Sequence, residues 1–305
     1  MSGGRHLVVA TDATFALPTA VTLRSLLSQS GVDSGIEVTV LHDDVSRDVQ
    51  RLVDASLPAG APPPRWVPAD LSALGHLPPS PLPRATWFRL LAIEVLPPDV
   101  TRFVYLDVDV LVCRSVAPLW EVDLGGRPLG AVRSVNFPSM GTWGAFDHWR
   151  RHRIDPRLPF FNAGVLVVDT QVWTAADTTR RIIDLMGSGD IHGGDQQALN
   201  VALAGSWTEL DPIWNQQPPL LDDRRGGHLL YDDETIDRAR TDPAIIHFLD
   251  RPKPWHVDSS HPAREAWRAV AGETAFAPIH LDHTARWEDA RWRLKRAAAA
   301  LVRGR

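Results

Sequence analysis

The chain has 305 residues, of which 44% are hydrophobic and 23% are charged, and its formal net charge is −5. This composition predicts a soluble α/β protein with one large domain and an appendage, or with two smaller domains. It excludes a general nucleic-acid-binding protein, an internal disulfide and a cysteine zinc site, because acidic residues outnumber basic ones and Cys113 is the only cysteine.

The first third of the chain alternates short apolar runs with helical patterns. Residues 7–10 and 38–41 predict two strands, and residues 65–67 predict a short third strand. The apolar spacing of residues 17–30 predicts a helix, and Ser46 predicts the N-cap of another. This alternation is typical of a parallel sheet with helices on both faces, in which ligands bind beyond the carboxyl ends of the strands.

The loop after the first strand carries Asp12. Its carboxylate could accept a hydrogen bond from a nucleobase imide N–H, or it could cap the following helix. The chain contains neither a Gly-x-Gly-x-x-Gly fingerprint nor a Walker P-loop. A bound phosphate would therefore need a metal ion and basic side chains.

The most informative stretch is a near-continuous apolar run over residues 103–112, interrupted by Asp107 and Asp109. Such a run predicts one strand buried on both faces, with both carboxylates on the same side. Two adjacent carboxylates repel each other and are costly to desolvate, and a divalent cation relieves both costs. Oxygen ligands suit Mg²⁺ or Mn²⁺. The alternative is a solvated strand end.

A proline-rich stretch at 76–84 predicts a loop, and residues 85–96 predict a helix with an apolar face. Arg89 lies within that helix, where it is either solvated or functional.

Further motifs complete a pattern. They are Ala85-Thr86-Trp87-Phe88-Arg89-Leu90, the acid-pair run with Pro118-Leu119-Trp120, Phe161-Asn162-Ala163-Gly164, Gly194-Asp195-Gln196-Gln197-Ala198-Leu199-Asn200, and His247 followed by Lys253-Pro254-Trp255. With the first loop, Ala10-Thr11-Asp12 and Phe15, they resemble glycosyltransferase family 8, which includes glycogenin and bacterial lipooligosaccharide galactosyltransferases.

The resemblance implies a GT-A fold, a single Rossmann-like mixed sheet flanked by helices, as the catalytic domain over residues 1–256. A C-terminal helical extension with a basic tail would occupy residues 257–305. The implied enzyme is a retaining hexosyltransferase that moves glucose or galactose from a UDP-sugar. The acceptor would be a glycan, a lipid-linked molecule or a small molecule, and the cofactor Mn²⁺ or Mg²⁺.

The resemblance also implies roles for individual residues. Gln196 would lie near the anomeric carbon; because an amide is a poor nucleophile, front-face attack is favoured, with Asp195 the candidate for a two-step route. The implied metal ligands are Asp107, Asp109 and His247. The implied catalytic residues are Gln196, Asp195 and Arg89. The implied sugar-binding residues are Arg89, Asn162, Ala163, Asp195 and Gln196. The implied nucleotide-binding residues are Ala10, Thr11, Asp12, Thr14, Phe15, Asp107, Val108 and Lys253.

Two residues depart from the family pattern. Asp250 replaces a glycine between His247 and Lys253, and its carboxylate would be repelled by a diphosphate. This favours an alternative function, a sugar-nucleotide-binding protein without efficient turnover. Gln197 stands where some relatives carry a second acid. A nucleotidyltransferase is less well supported, because the first loop has neither glycine nor a basic residue.

The end of the chain, from Arg286 to Arg305, carries seven basic and two acidic residues, a net charge of +5. It predicts either a helix that rests on anionic lipid or an ordinary surface helix. No apolar run reaches the roughly 18 residues of a membrane span. We therefore expect a cytoplasmic protein, with peripheral contact to the inner membrane face if this tail binds lipid.

Overall fold

The computed structural model describes residues 4–75, 77, 84–221, 230–249 and 251–281. Three sequence-based expectations fall wholly or mostly on other residues. The basic tail at 286–305, Asp250 and most of the proline-rich stretch at 76–84 lie outside the described residues.

A mixed seven-stranded sheet organises the fold. The first four strands run parallel, as the sequence predicts. They are β1 (Arg5–Asp12), β2 (Ile36–Asp43), β3 (Arg65–Pro68) and β4 (Arg102–Leu106). The mixed character enters with β7 (Phe161–Asp169), which lies antiparallel between β4 and β6 (Leu129–Arg133). β8 (Thr208–Glu209) pairs parallel with β6. The strand order across the sheet is therefore β3-β2-β1-β4-β7-β6-β8.

Helices cover both faces of this sheet. Alternate side chains of β1 enter different hydrophobic clusters: Leu7 and Val9 pack on one face, and Val8 and Ala10 on the other. This is why the strand is apolar over residues 7–10. The helices are α1 (Ala16–Ser30), α2 (Arg47–Ala55), α3 (Ala92–Val95), α4 (Thr170–Ala175), α5 (Thr178–Gly187), α6 (Gly194–Ala202), α7 (Asp233–Thr241) and α8 (Arg264–Gly272). The expected N-cap at Ser46 is present, since its Oγ accepts the Val49 N–H at 3.3 Å.

The apolar run at 103–112 is two strands rather than the one that the sequence predicts. β4 ends at Leu106, and β5 (Val110–Val112) pairs antiparallel with β9 (Ile245–His247) in a separate two-stranded sheet. The backbone N–H of Asp107 still bonds to the large sheet, at the Gly164 carbonyl 2.8 Å away, whereas the carbonyl of Asp109 accepts from Phe248. The chain therefore changes sheets between the two acids.

The predicted helix at 85–96 is mostly a 3₁₀ helix, over Arg84–Leu91, followed by the short α3. The tighter coil buries Trp87, Phe88, Leu90 and Leu91. The interpretation of Arg89 as a solvated helix residue is wrong, because its side chain is only 6% exposed. It donates to the carbonyl of Thr86, one turn earlier in the same segment.

The described part of the predicted C-terminal extension packs against the preceding part of the chain. Trp267 of α8 is fully buried and lies 5.3 Å from Trp255, ring centroid to centroid. Val21 of α1 and Leu111 of β5 belong to the same cluster. Within the described ranges, no helix combines the length and apolar character needed to cross a bilayer.

Candidate active site

The predicted metal ligands Asp107, Asp109 and His247 converge where the two sheets adjoin. Nε2 of His247 lies 3.2 Å from Oδ1 of Asp109 and 3.9 Å from Oδ2 of Asp107. One ligand atom from each side chain lies within 4.8 Å of the other two. Two carboxylates and an imidazole nitrogen form a donor set that suits a divalent cation, and the nitrogen favours Mn²⁺ over Mg²⁺. These residues therefore fit a divalent metal site.

Lys253 lies beside the same carboxylates. Its Nζ donates to Oδ2 of Asp109 at 2.6 Å and to the carbonyl of Phe248. Burial raises the pKa of Asp109, but Lys253 and His247 lower it by more, so the pKa lies well below its usual range. The ammonium group is thus a compact positive charge at the edge of the candidate metal site.

Arg89 joins the acid pair to the predicted sugar-binding residues. Its Nη2 donates to Oδ1 of Asp107 at 2.9 Å, and its Nε lies 2.6 Å from Oδ2 of Asp195. The guanidinium also stacks over Tyr105, 4.7 Å from the ring centroid. Burial lowers the pKa of Arg89, but the two carboxylates raise it by more, so it stays charged. The guanidinium group therefore lies between two acids, with a hydrogen bond to Asp107 and an ion pair with Asp195.

The start of β7 is tied to α6 and to Arg89. Oε1 of Gln196 accepts the N–H of Ala163 at 3.0 Å, and the Ala163 carbonyl accepts from Arg89. Asn200 accepts the N–H of Phe161 at 2.7 Å and donates to its carbonyl at 2.9 Å. These bonds hold the predicted sugar-binding residues of both elements together: Asn162 and Ala163 from β7, and Asp195 and Gln196 from α6.

Gln197 does structural work that an acid could not do. Its Oε1 accepts the N–H groups of His192 and Gly193 at 2.8 and 2.9 Å, and its Nε2 donates to the carbonyl of Ala145 at 2.6 Å. A carboxylate has no N–H to donate to that carbonyl. The departure from relatives with a second acid therefore has a local reason, the loop that precedes α6.

The predicted nucleotide-binding loop follows β1. Oδ1 of Asp12 accepts the backbone N–H of Thr14 at 2.8 Å and its hydroxyl at 2.5 Å, so Asp12 takes the capping role. The hydroxyl of Thr11 is buried against that of Thr19 at 2.7 Å. A contact with a nucleobase stays a prediction for this loop.

The same loop meets the segment that carries Lys253. Phe15 lies edge-on to Trp255, with ring centroids 5.8 Å apart. Ala10 and Val108 are buried, and the Val108 carbonyl accepts from the hydroxyl of Thr22 at 3.0 Å. The predicted nucleotide-binding residues therefore lie at the end of β1 and on the chain segments that follow β1, β4 and β9.

Sequence reasoning placed Asn215 in a polar stretch that could line the acceptor side, and it did not predict a contact with His247. Its Oδ1 lies 2.9 Å from Nδ1 of His247, and its Nδ2 donates to Oδ1 of Asn162 at 2.8 Å. Asn215 reaches this position because the next residue, Gln216, pairs with β9 through its backbone. No local spacing signals a contact between residues 32 apart.

Known proteins resemble this chain in sequence and in fold. General stress protein A of Bacillus subtilis (strain 168) is 24% identical over 271 residues, covering 86% of this chain and 91% of that protein. Glycosyltransferase GlyF of Streptococcus pneumoniae is 26% identical over 266 residues, covering 86% of this chain and 60% of GlyF. The crystal structure of the galactosyltransferase LgtC, in complex with donor and acceptor sugar analogues, aligns with a TM-score of 0.75 at 25% identity. That alignment covers 90% of this chain and 97% of LgtC.

The GT-A fold and the family resemblance are thus confirmed. The sequence profile of the family described as glycosyl transferase family 8 matches residues 6–259, which include every motif named above. This chain belongs to glycosyl transferase family 8.

Proposed function

We propose that the chain transfers a hexose, glucose or galactose, from a UDP-sugar to an acceptor, with retention at the anomeric carbon and with Mn²⁺ as cofactor. The observation that carries this proposal is the convergence of Asp107, Asp109 and His247 within 4.8 Å of one another. Arg89 links that cluster directly to Asp195. The acceptor is a glycan, a lipid-linked molecule or a small molecule.

The divalent cation and Lys253 would together offset the negative charge of the donor's diphosphate. When bound by Asp107, Asp109 and His247, a divalent cation supplies neutralisation of the negative charge on the departing diphosphate. Lys253 already lies in this cluster, with Nζ 2.6 Å from Asp109. Its flexible stem allows the ammonium group to turn to a diphosphate oxygen.

Two amide groups support a sugar site beside these charges. The carbonyl oxygen of Asn162 accepts from Gly164, and that of Gln196 accepts from Ala163, each at 3.0 Å. The amide nitrogens are therefore the ends left to donate to sugar hydroxyls. Asn162 is buried and Gln196 is half-buried. Donors with so little access to water discriminate strongly, because an analogue without the hydroxyl leaves them unpaired.

The same contacts favour front-face attack over a two-step route. Gln196 is an amide whose oxygen is engaged, and this makes it a poor nucleophile. Asp195 is buried and ion-paired to Arg89 at 2.6 Å, a position that suits an orienting role. In front-face attack, the departing diphosphate accepts the proton of the attacking acceptor hydroxyl, and the new bond forms on the same face.

The test is a panel of nucleotide sugars assayed for cation-dependent hydrolysis. We expect UDP-glucose or UDP-galactose to release free sugar with Mn²⁺, and chelation or the double variant Asp107→Asn/Asp109→Asn to abolish the release. Asp184→Asn is the matched control, because Asp184 pairs with Arg180 on the exposed face of α5. Equal hydrolysis by the double variant and the control would contradict the proposal.

The same panel distinguishes the proposed transferase from the alternative function. A sugar-nucleotide-binding protein without efficient turnover would be stabilised by UDP in thermal unfolding, yet would release no sugar from any donor. The residue that suggested this alternative, Asp250, lies outside the described residues. If Asp250→Gly hydrolysed the donor much faster than the original chain, that result would favour the alternative function.

A further inference from the structure

A chain of hydrogen bonds runs from the backbone of β7 to the predicted metal ligand His247. The N–H of Gly164 donates to Oδ1 of Asn162 at 3.0 Å, and Nδ2 of Asn215 donates to the same oxygen at 2.8 Å. Oδ1 of Asn215 then lies 2.9 Å from Nδ1 of His247. Asn162, Asn215 and His247 are 5%, 0% and 1% exposed, so water does not compete for these bonds.

The donor and acceptor of each hydrogen bond in this series follow from the first bond, which the N–H of Gly164 donates. A backbone N–H can only donate, so the atom of Asn162 that faces Gly164 must be the carbonyl oxygen. That oxygen requires a donor from Asn215, which therefore turns its amide nitrogen to Asn162 and its oxygen to His247. An amide oxygen can only accept, so Nδ1 of His247 must carry a proton. No alternative orientation of either amide satisfies both contacts.

The consequence concerns the other ring nitrogen. A neutral imidazole with its proton on Nδ1 presents a lone pair on Nε2, the nitrogen that lies 3.2 Å from Asp109. Only that tautomer lets Nε2 bind a metal ion. We propose that Asn215 is a positioning residue, which holds His247 in its metal-binding tautomer and orientation and couples it to the donor-sugar residue Asn162. This inference rests on the metal site of the proposed function.

Two substitutions at residue 215 separate the two contacts. Asn215→Leu removes both, and we expect Mn²⁺ affinity to fall about 10- to 100-fold, the range typical for loss of a hydrogen bond to a ligating histidine. Asn215→Asp keeps an acceptor for Nδ1 of His247 but has no N–H for Asn162. We expect it to bind Mn²⁺ within about threefold of the original chain, with a raised KM for the UDP-sugar and unchanged affinity for UDP.

The matched control is Gln217→Ala, two residues further along the same segment. Gln217 is also fully buried, and its amide bonds the backbone of Val135 and Arg133 at 3.1 and 2.8 Å. Its loss disturbs packing to a similar degree without touching His247. Equal loss of Mn²⁺ affinity in Gln217→Ala and Asn215→Leu would overturn the positioning role.

A third measurement needs no variant and no turnover. Nitrogen-15 NMR of the histidine rings with Zn²⁺, a diamagnetic ion, reports which nitrogen of His247 carries the proton. We expect a protonated Nδ1 and a metal-bound Nε2, and the reverse assignment would overturn the inference. If the original chain and Asn215→Leu bind Mn²⁺ with equal affinity, this inference is contradicted and the proposed function is not. If the original chain binds no cation, the proposed function is contradicted as well.

Discussion

The imidazole of His247 lies directly against the backbone of Gly164. A Cβ atom at residue 164 would fall 2.1 Å from Cε1 of His247 and 2.6 Å from its Nδ1. Both distances are far below van der Waals contact, so the ring occupies space that any side chain would fill. Glycine is needed here for the close approach of β7 to the ring that ends β9.

Gly164→Ala should therefore displace His247 from the acid pair. We expect at least a tenfold loss of Mn²⁺ affinity and, from overpacking, a loss of about 1–3 kcal/mol in the free energy of unfolding. Isothermal titration with Mn²⁺ and urea unfolding measure the two effects. Gly187→Ala is the control, because nothing lies within 4 Å of a Cβ there, and it should leave Mn²⁺ affinity unchanged. Unaltered Mn²⁺ binding by Gly164→Ala would show that the ring is not confined.

Arg89→Met removes the cation that lies between the half-buried Asp107 and the buried Asp195. Because Asp107 and Asp195 would then be left without their partner, we expect the free energy of unfolding to fall by about 3–5 kcal/mol. Arg180→Met breaks an exposed pair with Asp184 and should cost less than about 1 kcal/mol. Urea unfolding of both variants provides the comparison. Similar small losses in the two proteins would mean that the buried bridge adds no stability.

The parts of the fold that the sequence predicted are those with a local signal. Neighbouring residues are enough to predict the apolar run of β1, the Ser46 N-cap and the closeness of Asp107 to Asp109. The break between β4 and β5 was missed, because a buried strand and two successive buried strands have the same apolar pattern. What distinguishes the two strands is their pairing: β4 pairs with β1 and β7, and β5 pairs with β9.

The residues of the candidate site, too, were predicted only where the sequence carries a local signal. His247 and Lys253 were predicted because their short motif resembles that of a known family. Asn215 has no such motif in the sequence, and its contacts with His247 and Asn162 span 32 and 53 residues. A hydrogen bond of that range depends on how β9 pairs with Gln216, which no single stretch of sequence encodes.

The predicted boundary at residue 256 leads to a truncation experiment. Trp267 is fully buried, and Arg268 donates to the carbonyls of Pro254 and His256 at 3.0 and 2.8 Å. A chain that ends after residue 256 should lose this anchor and be less stable by several kcal/mol, as for a large core truncation. A chain that ends after residue 281 should keep it. Urea unfolding compares the two, and equal stability would place the boundary at 256.

A point variant separates anchor loss from other effects of truncation. Trp267→Ala should cost about 3–5 kcal/mol. Leu52→Ala on α2, where the side chain is 41% exposed, should cost less than about 0.5 kcal/mol. A Trp267→Ala protein as stable as Leu52→Ala would show that α8 contributes little to the catalytic fold.

His261 should make the protein sensitive to mild acid. Burial lowers the pKa of His261 to about 4, with a further contribution from Lys253, and its Nδ1 accepts the N–H of Ala263 at 3.1 Å. The unfolded chain, in which a histidine has a pKa of about 6.5, therefore binds a proton between about pH 6.5 and 4 that the folded chain does not. Stability from this residue is complete above pH 6.5 and is lost as the pH falls, by at most about 2 kcal/mol at pH 5 and by less because the ring is partly exposed. His261→Asn keeps an acceptor for Ala263 without titrating, so urea midpoints at pH 8 and pH 5 should differ less in this variant; an equal difference in both proteins would exclude His261 as the source.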